Sequence, residues 1–394
     1  MSLFNYLWEK LSQEPPLGWS QLSHKKIRLL VAISGIAFAD ILIFMMLGFK
    51  SMLFDGSTLV HEHLDADLVL VSKRTKTLFE AKGFPTAHLY QAGDVEGVDT
   101  ASPLYYSFGA WVNPWKKEIA PVAVIAFNPV RPVFNLPELN QQLDKIKLPN
   151  VVLFDRKSQP TAGQVVAAFE GGETVTTEFS GRRVRVGGLF TLGSTMFIRG
   201  HIVTSDQNYI RLFGRNSIDQ VHIGVLKLKP GANPEVVAKN LQARLPSDIR
   251  VFNRQQFKAS EIAFWSNEHP AGTIFNFGAI MGFVVGIVIV YQILYTDVSD
   301  HLAEYATLKA MGFTDQSLLG VVFQQGIILA IIGFLPGYIT SIGMYGLLGQ
   351  LTRIPLTMKA TVATQVVIAT ILMCIISAAI AMRKLQSADP ADVF

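Results

Sequence analysis

Charge is scarce in this chain of 394 residues: Asp, Glu, Lys and Arg together make up 16% of it, against 50% hydrophobic residues. A soluble domain carries about 25% charged residues, so composition alone points to segments that leave water. Cysteine is nearly absent. The one thiol, Cys374, lies inside an apolar run, so no disulfide framework and no cysteine-based metal site can form within the chain. Catalytic signatures are missing as well. There is no G-x-x-x-x-G-K-[ST] loop to hold nucleotide phosphates, no G-x-S-x-G elbow and no H-E-x-x-H helix. A basic balance is present, with a net charge of +4 and pI near 9.0. Its Lys and Arg are scattered rather than gathered on one periodic face, which argues against nucleic acid as a partner.

What the chain has in quantity is long apolar runs. Residues 29–49 give about 21 residues with one charge, enough to span a hydrocarbon core about 30 Å thick. Three more runs, 274–295, 326–348 and 360–382, contain no Asp, Glu, Lys or Arg. Four transmembrane helices are therefore expected. Polar sequence through Arg28 precedes the first run, which reads as an uncleaved anchor rather than a signal peptide. Ahead of it, Leu3, Phe4, Leu7, Trp8 and Leu11 form one stripe of a short amphipathic helix that Pro15-Pro16 ends, suited to a membrane surface or to packing on protein.

Residues 50–268 form a stretch of ordinary domain size between the first and second runs, and they must fold in water. ADLVLVSKR at 66–74 reads as a strand, and 221–253 as strand, turn, amphipathic helix and strand. Between them VVLFDRK, QVVAAFE, VRVGGLFTL and HIVTSD read as further strands separated by Gly, Ser and Pro. The expected fold class is an α-helical membrane protein with four transmembrane helices plus an α/β extracytoplasmic domain carrying a β-rich insertion. Orientation follows from the flanks of the first run. His24, Lys25, Lys26 and Arg28 precede it, whereas Asp55, Glu62, Asp65 and Asp67 follow. This places segment 1–28 in the cytoplasm, and four spans return the tail 383–394 to the same side.

Between the second and third runs, HLAEYATLKAMGFTDQSLLGVVFQQG at 301–326 carries Glu304, Leu308, Lys309, Ala310 and Gly312. This spacing, the layout of one span, a large domain and three clustered spans, and the ending RKLQSADPADVF resemble the MacB/FtsX-like ABC permease family. QLSHKKIRLLVAISGIAFADILIFMMLGF further resembles the first helix of DevC-type permeases, which are associated with cyanobacterial glycolipid export. The chain departs from many relatives in having Ala303, Tyr305 and Ala306 around the Glu, where they have a basic residue before it and Ile-Gly after it.

The resemblance implies a type VII ABC permease-like mechanism in the bacterial inner membrane. Segment 296–325 would be the coupling region, with Glu304, Tyr305, Leu308, Lys309, Ala310 and Gly312 meeting a separate ABC ATPase. ATP and Mg belong to that partner, and this chain binds no cofactor and catalyses nothing itself. The other implied partners are a membrane fusion protein, a TolC-like outer-membrane duct and a second copy of the chain. An FtsX-like scaffold regulating a periplasmic hydrolase, or a lipoprotein-release permease, is the alternative.

Three further features have both a bland and a functional reading. Segment 300–313 reads as a short helix with Asp300 at its start and Gly312 at its C-cap, either a solvated connector or a docking helix. Gly278, Gly282 and Gly286 share one face of the second span, for close packing of another helix or for dimerisation. Asp40, alone within a span, should face protein or carry a proton; its expected partners are Gln292, Gln324, Gln325, Gln365 or Tyr291. An intramembrane aspartyl protease would need a second aspartate within the spans, and none is there. His61 and His63, flanking Glu62, have strand-like i, i+2 spacing that provides only part of a metal site.

Overall fold

In the computed structural model the described residues are 26–312, 314–352 and 356–387. The amphipathic segment, the flank residues His24 and Lys25 and the last residues of the tail lie outside them. Among the described residues two compact units form: residues 26–50, 274–347 and 356–387 in one, residues 51–273 and 348–352 in the other.

The first unit is a helix bundle built from α1 (Lys26–His63), α9 (Pro270–Asp300), α10 (Leu302–Ala310), α11 (Asp315–Thr352) and α12 (Ala360–Ser387). Four of these, all but α10, are long and apolar enough to cross a membrane. Helix α1 has 38 residues and is therefore about 57 Å long at 1.5 Å per residue, well beyond a hydrocarbon core. Its turns from Ser51 onward belong to the second unit.

Neighbour relations within the bundle alternate in direction. A Cβ on Gly278, Gly282 or Gly286 would meet Met46, Ile43 and Ala39 in turn, so α9 runs antiparallel to α1. Gly333 and Gly337 of α11 meet Ile36 and Ala37 in ascending order, a parallel pairing. Each of these glycines removes a side chain where one helix lies directly on another. The Gly278, Gly282, Gly286 stripe is thereby occupied by α1 of the same chain, with Met373 of α12 beside Gly286. That face is not free for a second copy.

The second unit is organised by a nine-stranded sheet in the order β11-β1-β10-β3-β4-β8-β5-β7-β6. Its strands are β1 (Leu68–Ser72), β3 (Val98–Val112), β4 (Ile119–Phe127), β5 (Val151–Asp155), β6 (Thr176–Phe179), β7 (Arg182–Phe190), β8 (His201–Ser205), β10 (Ile223–Leu228) and β11 (Ile249–Asn253); β2 (Phe84–Pro85) and β9 (Gln220–Val221) pair separately. Short helices α2 (Thr86–Gly93), α3 (Pro137–Asn140), α4 (Leu143–Ile146), α5 (Val165–Glu170), α6 (Asp206–Phe213), α7 (Pro234–Arg244) and α8 (Arg254–Ala263) connect them.

Two halves share the long strand β3. Strands β10 and β11 flank β1, antiparallel to it on both sides, and are joined through α7, which is the α/β half read from 221–253. In the other half β6 returns to β3 through Trp111 opposite Phe179, closing six strands into a small barrel. Closure removes exposed strand edges. Trp111, Phe154, Phe179, Val184 and Ile202 fill its interior, and the Trp111 Nε1 donates to the Ala162 carbonyl at 3.0 Å. The opposite sheet face buries Val69, Ile125, Phe127 and Leu153 together with Val60 of α1, Leu64 just after it and Phe257 of α8.

Several sequence expectations change. QVVAAFE is helix α5, not a strand: Gly163 and Gly172, both at positive φ, bound a segment whose Ala167 and Ala168 favour a helix. The strands β3 and β4 were obscured by Pro103, Gly109 and Pro121. Pro103 faces only β10, because the pairing with β4 begins at Leu104, so its missing N–H costs no bond. Gly109 is needed for space, since the Phe179 ring would lie 2.1 Å from a Cβ there. His61 and His63 end helix α1 rather than lying in a strand, so their i, i+2 spacing turns them to different sides. His61 is buried against the Phe257 ring at 4.2 Å.

Candidate functional site at the base of the bundle

Helix α9 continues through Asp300, and only His301 separates it from α10. Asp300 therefore ends one helix instead of starting the next. The turn is held locally: the His301 amide donates to the Asp297 carbonyl at 3.2 Å and the Tyr305 amide to the His301 carbonyl at 3.0 Å. At the far end the Met311 amide donates to the Thr307 carbonyl, and Gly312 takes φ +96°. This left-handed conformation after a helix is one that glycine adopts without strain. Thr314 then leads into α11.

A polar cluster fixes this connection to the first helix. The Arg28 guanidinium donates to Asp300 at 2.7 Å and lies 3.6 Å from the buried Asp297 carboxylate. Gln325 of α11 donates its amide to the other oxygen of Asp297 at 2.9 Å, and the His301 Nδ1 lies 2.8 Å from the Asp297 carbonyl. Three helices are thus tied at one end of the bundle. The buried Asp297 carboxylate is compensated by an amide donor and by a cation that is itself 27% exposed, so water can replace part of what Arg28 supplies.

The candidate residues separate by environment. Tyr305 is 1% exposed and packs in the cluster containing Val298, Val322, Ala378 and Met382. It anchors α10 to the bundle and cannot present itself to a partner, a correction to its expected docking role. Glu304 is exposed, as are Ala303, Thr307 and Met311, which recur at i, i+4 and i+8 along one side. Leu308, Lys309 and Ala310 continue the helix. The segment thus offers a rigid, water-facing surface on a buried tyrosine pivot.

Asp40 lies at the middle of α1 and is fully buried. Its Oδ1 is 2.7 Å from the Thr370 hydroxyl on α12, a partner outside the amides and tyrosine expected from sequence. Gln325, one of those candidates, is committed to Asp297. The cluster of Arg28, Asp297, Asp300 and Gln325 was itself missed. Its signal was the i, i+3 spacing of two aspartates at the end of a span, opposite a basic flank.

Within the second unit Glu261 is buried at 3% exposure. It accepts from the Thr77 hydroxyl, the Leu78 amide at 3.0 Å and the Trp265 indole at 2.8 Å. Burial raises its pKa and these donors oppose the rise. All of them lie within one domain core, so the residue reads as a structural hub. Among the described residues no group of three or more His, Cys, Asp or Glu is gathered as a metal site.

Residues 276–390 match the family described as FtsX-like permease C-terminal, a range that takes in α10, α11 and nearly all of α9. No curated protein matches the chain. Among solved structures, the periplasmic region of MacB from Actinobacillus actinomycetemcomitans is similar at 14% identity and TM-score 0.35, covering 50% of this chain and 93% of that one. The extracellular domain of the noncanonic ABC-type transporter YknZ from Gram-positive bacteria is similar at 13% identity and TM-score 0.31, with 47% and 99% covered. A domain of a putative permease protein from Porphyromonas gingivalis is similar at 15% identity and TM-score 0.31, with 51% and 97% covered.

Proposed function

We propose that this chain, whose residues 276–390 form an FtsX-like permease C-terminal domain, is the membrane subunit of an ABC-type export machine. It transmits the motion of a separate ATPase and hydrolyses nothing itself. The observation that carries this reading is α10, a short helix between two spans inside the matched region, exposed on one side and anchored on the other. When the ATPase closes on ATP and Mg, a push on the exposed side reaches the bundle through Tyr305 and reaches α1 through Asp297, Asp300 and Arg28.

In this reading the start of α1 and the end of α12 face the cytoplasm of a bacterial inner membrane, and residues 51–273 lie outside. There they act on a membrane fusion protein and, through it, an outer-membrane duct. The cargo class is an amphiphile, and the resemblance to DevC-type permeases names glycolipid. A homodimer would use a face other than the glycine stripe of α9.

The test is to reconstitute the full chain with its cognate ATPase and replace Glu304 by Arg. Capture of the ATPase and its stimulated turnover should be lost, while Tyr305→Phe keeps both. An ATPase still held and stimulated by Glu304→Arg would reduce α10 to a connector. Export that survives deletion of the fusion protein would favour the regulatory scaffold instead.

A further inference from the structure

If the Asp40 side chain is an anion, one of two short oxygen–oxygen contacts at Thr370 is left without a hydrogen. The Thr370 Oγ1 lies 2.7 Å from Asp40 Oδ1 and 2.8 Å from the Val366 carbonyl one turn earlier on α12. A threonine hydroxyl has one hydrogen, and a carbonyl and a carboxylate can only accept. When the Thr370 hydrogen goes to Val366, the proton in the contact with Asp40 has to come from Asp40, with the Thr370 oxygen accepting it. The second oxygen, Oδ2, is buried without a hydrogen-bond partner. The carbonyl of a neutral acid bears that more readily than half of a carboxylate.

The surroundings supply no countercharge. The runs 274–295, 326–348 and 360–382 hold no Lys or Arg. On α1 the nearest cations flank the apolar run 29–49 and are committed, Arg28 to Asp300 and Lys50 to Asn276 at 2.8 Å. Within the three runs of the packed helices the titratable groups are Tyr291 and Tyr295 of α9, Tyr338 and Tyr345 of α11 and Cys374 of α12, and none is cationic. On the α11 side a Cβ at Gly337 would lie 3.0 Å from the Asp40 Cβ, so the carboxyl is closed in by backbone rather than by a polar group.

We propose that Asp40 is a proton-binding site within the bundle, filled in this conformation, whose proton forms the hydrogen bond that joins α1 to α12. The ligand is a proton and the site is one carboxyl. Separation of α1 from Thr370 that admits water would discharge it, and re-docking would need the proton back. This proposal is independent of the partner ATPase and stands or falls without it.

Infrared difference spectra of the full chain in lipid bilayers, wild type minus Asp40→Asn, provide the test. At neutral pH the difference should contain the carbonyl stretch of an un-ionised carboxylic acid, shifted in heavy water and lost under strongly alkaline conditions. Carboxylate bands alone at neutral pH would overturn the proposal. Should Asp40→Asn fail to fold, wild type minus Asp40→Glu replaces it, with the acid band moved rather than lost. Thr370→Val should also move the band, and a band indifferent to Thr370 would refute the link to α12.

Discussion

The two units solve the same packing problem with different materials. The sheet unit buries large side chains on both faces, with Trp111, Phe154 and Phe179 inside a closed barrel and Phe127 and Phe134 on the other side. The bundle instead brings backbones together at Gly282, Gly286, Gly333 and Gly337 and places isolated hydrogen bonds at Asp40, at Asp297 and at Tyr345, whose hydroxyl donates to the Phe44 carbonyl. Water makes the difference. Apolar burial drives the first unit, whereas between spans surrounded by lipid the gain comes from close contact and isolated hydrogen bonds. Large side chains should therefore dominate the stability of one unit and missing side chains that of the other.

The largest expected effect lies in the sheet unit. Trp111→Ala empties the barrel interior and abandons the bond to Ala162, and should cost about 3–5 kcal/mol, read as a lower unfolding midpoint of this unit in denaturant. An unchanged midpoint would break the comparison. In the bundle, Gly337→Leu drives a side chain into the backbone of Ala37, at 3.1–3.2 Å from an added Cβ, and should cost about 2–3 kcal/mol. Its thermal transition in detergent should fall, while Gly172→Leu in the sheet unit, with nothing within 4 Å, adds only the strain of a positive φ.

Acidification should affect the sheet unit through His222. Burial lowers its pKa from 6.5 to about 4, and its Nδ1 accepts the Tyr106 amide, which only the uncharged ring can do. Between about pH 6.5 and pH 4 the unfolded chain binds the proton and the folded one does not, so stability falls as pH falls through this window, by up to roughly 2–3 kcal/mol. His222→Gln should flatten that part of the stability profile. A profile unchanged by the substitution would remove His222 as its source.

The smallest effect on stability is expected at the base of the bundle. Arg28→Ala frees Asp300 at the surface and leaves Asp297 with Gln325, at a cost of about 1 kcal/mol. Yet it cuts the tie between α1 and the α9–α10 turn, so stimulation of the ATPase should fall more than the melting temperature does. A proportional loss of both would make the cluster merely structural.

The four spans, the water-soluble insertion and the strand-helix-strand at 221–253 were legible because a hydrocarbon core imposes a length, and because period and turn chemistry act locally. Gly312 was legible for the same reason, since a helix that reverses needs a left-handed residue. Strands β3 and β4 were not, because Pro103 and Gly109 are tolerated only where their neighbours lie in space.

The sequence by itself determined that the chain crosses a membrane, that it has no phosphate loop, and that a short helix connects two spans. Tertiary structure decided which side of each helix counts: Tyr305 turns inward while Glu304 turns out, the glycines of α9 serve α1, and Thr370 rather than a glutamine meets Asp40. Periodicity specifies that a face exists, but what fills it depends on residues hundreds of positions away. Only folding brings those together.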